Sequence, residues 1–404
     1  MKILYNMISV GLLLVLLPGP SSAQPTELRI DPAAAVGAKA VQVFKQINYI
    51  PLETKPGSVF GKIDQMRVTR EYFIILDHTT NAILVFKKNG DFHARILGKT
   101  TREEPREAIS TMTVDPVRNE VLFTKATGKY LHRYNFDAKR VGALPIATPM
   151  YDFHSFGDGQ LAKALSYQAK PEVDSNAYKL HVTQGNAVQR HFPYKPADGK
   201  WLYYAREQSM FLPGNLDTTV LFSWMFDYHV YELTPGTLKM AYRFVLPMAA
   251  SLPGDFLTSA SYPARKFDWL IQHPEKVFSI GYVLRRQHLL FFRLQDFNDA
   301  DNSFLYNLRT GGLVCLQKIS PDASNWYMPV AYDGEGRPEF SQTNFLDMDA
   351  DYLYTAYSAD AMFRFKDANA EREIEYPGML YGLFNFGSRK NNPVIVQLKL
   401  QPGL

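Results

Sequence analysis

The chain has 404 residues, with 44 Lys plus Arg against 40 Asp plus Glu and a formal charge of +4. So small an excess over such a length leaves no electrostatic footprint for nucleic acid. Its one cysteine, Cys315, excludes an internal disulfide, so stability must come from burial; a chain this long can bury roughly three-quarters of its unfolded surface.

Residues 1–23 have the parts of a secretory signal: Lys2, an apolar run Val10–Leu17, the break Pro18–Pro20, and small residues Ser21-Ser22-Ala23. Cleavage is expected after Ala23. The apolar run is shorter than the ~20 residues a membrane span requires. No cysteine follows it to carry a lipid, and no later segment is apolar enough to cross a bilayer. The expected address is therefore the periplasm or the exterior, with no stable membrane span after cleavage.

Residues 24–39 show no sustained periodicity and read as a linker. Val41–Thr54 alternates like a strand as far as Pro51. Gly61–Thr69 opens a unit that continues through Tyr72–Leu76, Ala82–Phe86 and Phe92–Leu97. The gaps between these last three hold the Asn, Asp and Gly that tight turns demand. Four strands in about forty residues make one propeller blade.

The same grammar recurs. Ile109–Val114, Glu120–Thr124, Lys129–Tyr134 and Arg140–Leu144 form a second unit. Met150–Phe156, Gln160–Ser166, Tyr178–Val182 and Ala187–Phe192 form a third. A fourth holds Thr218–Met225, His229–Leu233 and Leu238–Leu246, its first strand lying within 202–212. Val277–Leu284, Gln287–Leu294, Phe304–Leu308 and Leu313–Ile319 form a fifth. Asn344–Asp349, Asp351–Tyr357 and Ala361–Phe365 are expected to open a sixth.

Taking Gly90, Ala138, Gly185, Gly236 and Gly311 as equivalent turns, the steps are 48, 47, 51 and 75 residues. The long step reflects an insertion over 247–276, with a short helix expected within Pro263–Pro274. The fold expected over 40–404 is thus all-β: one six-bladed β-propeller of four-stranded antiparallel blades. Pairing Asn392–Leu400 with Val41–Ile50 in the last blade would close the ring and hide its edges.

Tyr49-Ile50-Pro51-Leu52-Glu53-Thr54, Gly61-Lys62-Ile63-Asp64, Ile83–Gly90 and Asn392–Leu400 together resemble a bacterial family of exported six-bladed β-propellers, many of them lipoproteins. The resemblance spans about residues 40–400 and implies fold, export and ring closure, but no activity. Two departures stand out. Residues 98–108 replace the family's Gly-Pro-Gly-Glu-like loop, and the lipid-bearing cysteine is missing.

Nine histidines fall into no HExxH or close-pair spacing, so no metal centre is expected, and no cofactor. Asp77-His78 and Asp227-Tyr228-His229 each place a histidine after an acid at a strand end, where they could meet a ligand if the turns share a rim. The alternative is local bonding of turn backbone. His132 and His154 read as packing residues. Asp347, Asp349 and Asp351 alternate along a strand, without the loop that calcium favours. Of the large rings, Trp224 is expected in the core, while Trp201 and Trp326 in less regular segments are ligand-facing candidates. Cys315 reads as a small buried residue.

No G-x-S-x-G elbow or phosphate cradle is present. The expected function is an exported cell-envelope binding or scaffolding propeller that takes a glycan, peptide or envelope protein at one rim. The competing reading is a propeller lyase or hydrolase whose polar groups converge at the central channel.

Overall fold

The computed structural model describes residues 24–98, 107–196, 210–214, 218–259, 261–262, 266–298, 302–330 and 345–404. The signal segment and most of the 98–108 loop lie outside them. Six sheets form a ring, each built from a run of antiparallel neighbours. Blade 1 comprises Gln65–Val68, Tyr72–Asp77, Ala82–Lys87 and Phe92–Leu97 in sequence order from the axis outward. Its two middle strands are buried on both faces because another blade packs on each side, so they read as unbroken apolar runs. Gly90 at the outer hairpin has φ +93°, and a Cβ there would sit 2.4 Å from the Pro51 carbonyl oxygen, so no other residue fits.

Blade 6 closes the ring. Its strands run Asp347–Met348, Leu353–Tyr357, Val394–Leu400 and Phe44–Pro51, with the two chain ends antiparallel from Val394↔Pro51 to Leu398↔Ile47. The closure expected from the sequence is therefore present.

Two elements differ from their sequence reading. Within 24–39, Thr26–Arg29 adds parallel to the outer edge of blade 4 and Val36–Lys39 parallel to that of blade 5. Leu28 and Ile30 anchor this strap, buried against Tyr242 and Phe244, and the strap pairs edges that would otherwise stay open. Ala361–Phe365, expected as a strand, lies inside the helix Ala359–Ala368. Ser358 caps that helix by accepting from the Ala361 N–H at 3.1 Å. Ala361, Met362 and Phe365 then bury one helical stripe, and the C-terminal strand takes the vacated place in the sheet. The helix expected in the insertion is Lys266–Gln272.

Because strands alternate in direction, second-to-third turns and blade-to-blade connections leave from one rim. That rim carries every long connection, including 195–211, 246–278, 321–346 and 358–393. The opposite rim carries turns of two to six residues, such as 158–159 and 214–219.

Candidate functional site

Both histidine-bearing turns join second and third strands and so lie on the rim of long connections, but far apart. Asp77 and His78 sit on blade 1, Asp227 and His229 on blade 4, three blades away around the ring. Asp77 is fully buried and accepts from the N–H groups of Gly61, Lys62, Thr79 and Thr80 and from the Thr80 hydroxyl. Burial pushes its carboxyl up, but those hydrogen bonds outweigh it and hold it below the usual range. His78 spans Asp64 and the Ser110 carbonyl. Both are turn braces.

Asp227 orders a half-buried polar group at the seam of blades 3 and 4. Its Oδ1 lies 2.6 Å from His229 Nδ1, and its Oδ2 accepts from the Tyr231 hydroxyl at 2.8 Å. Lys179 lies 5.5 Å from the Trp224 ring, its ammonium destabilised by burial and partly supported by the Asp227 charge. Trp224 is buried, as expected for core. His132 stacks on Phe123. Trp201 lies outside the described residues.

Along the axis, polar side chains the sequence did not single out as a set bind blade to blade. Gln65 of blade 1 donates to Thr111 of blade 2 at 3.0 Å and accepts from Met112 N–H at 2.9 Å. Thr111 donates to Asp152 of blade 3 at 3.1 Å, and Asp152 accepts from the Met210 N–H at 2.6 Å. Asp347 of blade 6 accepts from Val68 N–H of blade 1 at 2.7 Å. Arg67 supplies the positive charge felt by Asp152, Asp347 and His154. Burial raises both carboxyls against that charge, Asp347 to about 6, while burial and Arg67 together push His154 down to about 3. The three alternating acids near 350 part company: Asp347 faces the axis, Asp349 pairs with Lys88 at 3.0 Å, and exposed Asp351 approaches Lys399. Among the described residues no three His, Cys, Asp or Glu side chains are grouped to hold a metal.

Trp326 turns inward, edge-on to Tyr49 at 5.8 Å, and its neighbour Tyr327 is the exposed ring. Tyr327, Pro321 and Arg372 line a cleft of about 590 Å³ on the rim of long connections. The insertion is pinned by Tyr228, whose hydroxyl donates to Val277 O at 2.6 Å and accepts from Leu252 N–H at 2.8 Å. Tyr228→Phe loses both bonds; limited proteolysis is expected to cut within 247–276 several-fold faster while the melting temperature moves by only a few degrees.

Six four-stranded antiparallel sheets around a polar axis, closed by the two chain ends, define a six-bladed β-propeller. Residues 28–399 match the family described as a domain of unknown function, DUF4934, and the chain belongs to that family. The crystal structure of a "putative exported protein" from Bacteroides fragilis NCTC 9343 is similar at TM-score 0.69 and 15% identity. That match covers 93% of this chain and 100% of the other, and at this identity it speaks to the fold alone. A DUF4221 family member from Bacteroides vulgatus ATCC 8482 is matched over 90% of this chain and 99% of its own, at 10% identity and TM-score 0.46, which adds no argument. No curated protein matches the sequence. Among the described residues no helix is long and apolar enough to cross a membrane.

Proposed function

We propose that the protein is an exported cell-envelope binding propeller that engages a glycan, peptide or protein partner through the rim of long connections. One observation carries this reading: the exposed large apolar side chains of the loops gather there. Met248 and Ile271 of the insertion, Phe297, Tyr327, Tyr381 and Phe386 all project from that rim, Met248 and Phe386 at 89% and 84% exposure. Among the described residues, the turns of the opposite rim expose one such side chain, Val117. Apolar surface presented by loops on a stiff frame favours partner binding.

The channel supports the competing lyase or hydrolase reading less well, because the axial carboxylates are already occupied by backbone donors from neighbouring segments. The test compares retention of purified protein on envelope fractions and on glycan and peptide arrays. A triple Met248→Ser, Ile271→Ser, Phe386→Ser variant is expected to lose at least about tenfold in binding, and Val117→Ser to lose nothing. Equal binding by both variants would overturn the assignment to this rim.

A further inference from the structure

We propose that the cleft between Pro321, Tyr327 and Arg372 is a subsite for one carboxylate on a sugar ring, of the uronic-acid class. The proposal rests on the rim-binding reading and names the chemistry of the ligand.

The cleft's volume lies within the ~300–1,000 Å³ usual for small-ligand sites. Arg372 ends the short 3-10 turn Ala370–Arg372, and its guanidinium lies over the Tyr327 ring, 5.4 Å from the centroid. Among the described residues no carboxylate pairs with it, although Glu371 and Glu373 flank it in sequence. Arg372 is an exposed residue, so the guanidinium held over the ring keeps its N–H fork accessible to a ligand. That fork matches a carboxylate bidentately.

Tyr327 is held where it is against the preference of its backbone. Trp326 has φ 54° and Tyr327 φ 58°, two successive bulky residues in the left-handed region, where each is disfavoured. A fully buried Asn325 enforces the turn: its side chain accepts from Asp322 N–H at 2.9 Å and donates to Met328 O. Tyr327 N–H donates to Asp322 O at 2.9 Å. The result turns Trp326 inward and Tyr327 outward. Strain of this kind, sustained by a braced surround, marks sites that a function maintains.

The remaining features select the ligand. Pro321 and Tyr327 offer apolar faces on which the C–H face of a sugar can lie. Exposed Glu371, Glu373 and Glu375 repel a densely anionic ligand, so one carboxylate is preferred over several sulfates. Among the described residues both walls are short 3-10 turns rather than strand edges, so they offer a peptide backbone no ladder to join.

Calorimetric titration of the mature protein tests this, using glucuronate- and galacturonate-containing oligosaccharides, their neutral analogues, a sulfated oligosaccharide, and a peptide with a free C-terminus. The uronate sugars are expected to bind at least about tenfold more tightly than the neutral and sulfated ones. Arg372→Gln should remove that preference, Arg372→Lys should keep part of it, and Tyr327→Ala should weaken acidic and neutral sugars alike. Uronate binding untouched by Arg372→Gln overturns the subsite. Binding of the free peptide carboxylate through Arg372, without uronate binding, overturns the sugar class. If no probe binds while the triple apolar variant still loses envelope retention, the subsite falls and the rim reading stands; if that retention is also unchanged, both fall.

Discussion

Asn392→Ala is expected to lower the unfolding free energy by about 4 kcal/mol, read as a lower urea midpoint with an unchanged slope. Asn392 is almost fully buried beside Pro393, at the start of the C-terminal strand, and its side chain reaches the N-terminal part of the chain. Its amide donates to Glu53 O at 2.8 Å and Ser58 O at 2.9 Å, and its oxygen accepts from Phe60 N–H at 3.2 Å. Alanine leaves Ser58 O and the Phe60 N–H buried without partners, each costing about 1–3 kcal/mol, while Glu53 O keeps the Ser58 hydroxyl at 2.8 Å. Asn392→Asp keeps only the acceptor and sets a carboxylate against two carbonyls, so it should be at least as damaging at neutral pH. A loss below about 1 kcal/mol in both variants would mean that the seam is held by the Val394–Leu400 ladder alone.

Arg67→Met should cost about 3–5 kcal/mol at pH 8 and much less at pH 5. Arg67 is the cation shared by two buried carboxyls, and methionine keeps most of its volume while removing the charge. Asp347 has a folded value of about 6 against 3.8 unfolded, so the native state holds the extra proton between those limits. Its protonated form therefore favours folding at low pH, and that contribution is lost as pH rises through about 6. Without Arg67 both carboxyls move further up, so the penalty is largest where they must ionise and fades where they stay protonated. His154 works the other way in the wild type: depressed to about 3, it contributes above 6.5 and is lost as pH falls toward 3. Removing Arg67 relieves that depression too, which shifts the variant's stability optimum further toward acid. Chemical denaturation at pH 8, 6.5 and 5 would show it. A deficit independent of pH would mean that Arg67 acts through packing.

Much of the ring is legible in residues 72–97, where apolar runs broken by Asn, Asp and Gly admit little besides hairpins. The final strand was equally plain, since Val394–Leu400 needs a partner and Phe44–Pro51 matches it in length. The strap was not, because Thr26–Arg29 and Val36–Lys39 touch a sheet along one edge and bury little, leaving no alternation to read. Ala361–Phe365 misled because five residues that are apolar except for Arg364 fit a strand as well as one helical stripe; the Ser358 cap was the missed signal. Arg67 in Gln65–Val68 looks like an ordinary polar position, and only the ring's curvature turns it toward the axis. Of the aromatic candidates, Trp326 turns inward and leaves Tyr327 exposed, because two left-handed residues in succession cannot be foreseen from their identities.

The strap also sets an order of events. Residues 26–51, made early, find their partners in strands that end at 245, 320 and 400, so Thr26–Arg29 waits unpaired for more than half of the chain and Phe44–Pro51 for nearly all of it. Blades 1 to 3 can assemble from neighbours as they emerge, whereas the opening segment must survive as a naked strand former through most of synthesis. Slow completion and a need for protection of the nascent N-terminus follow from where that segment ends up.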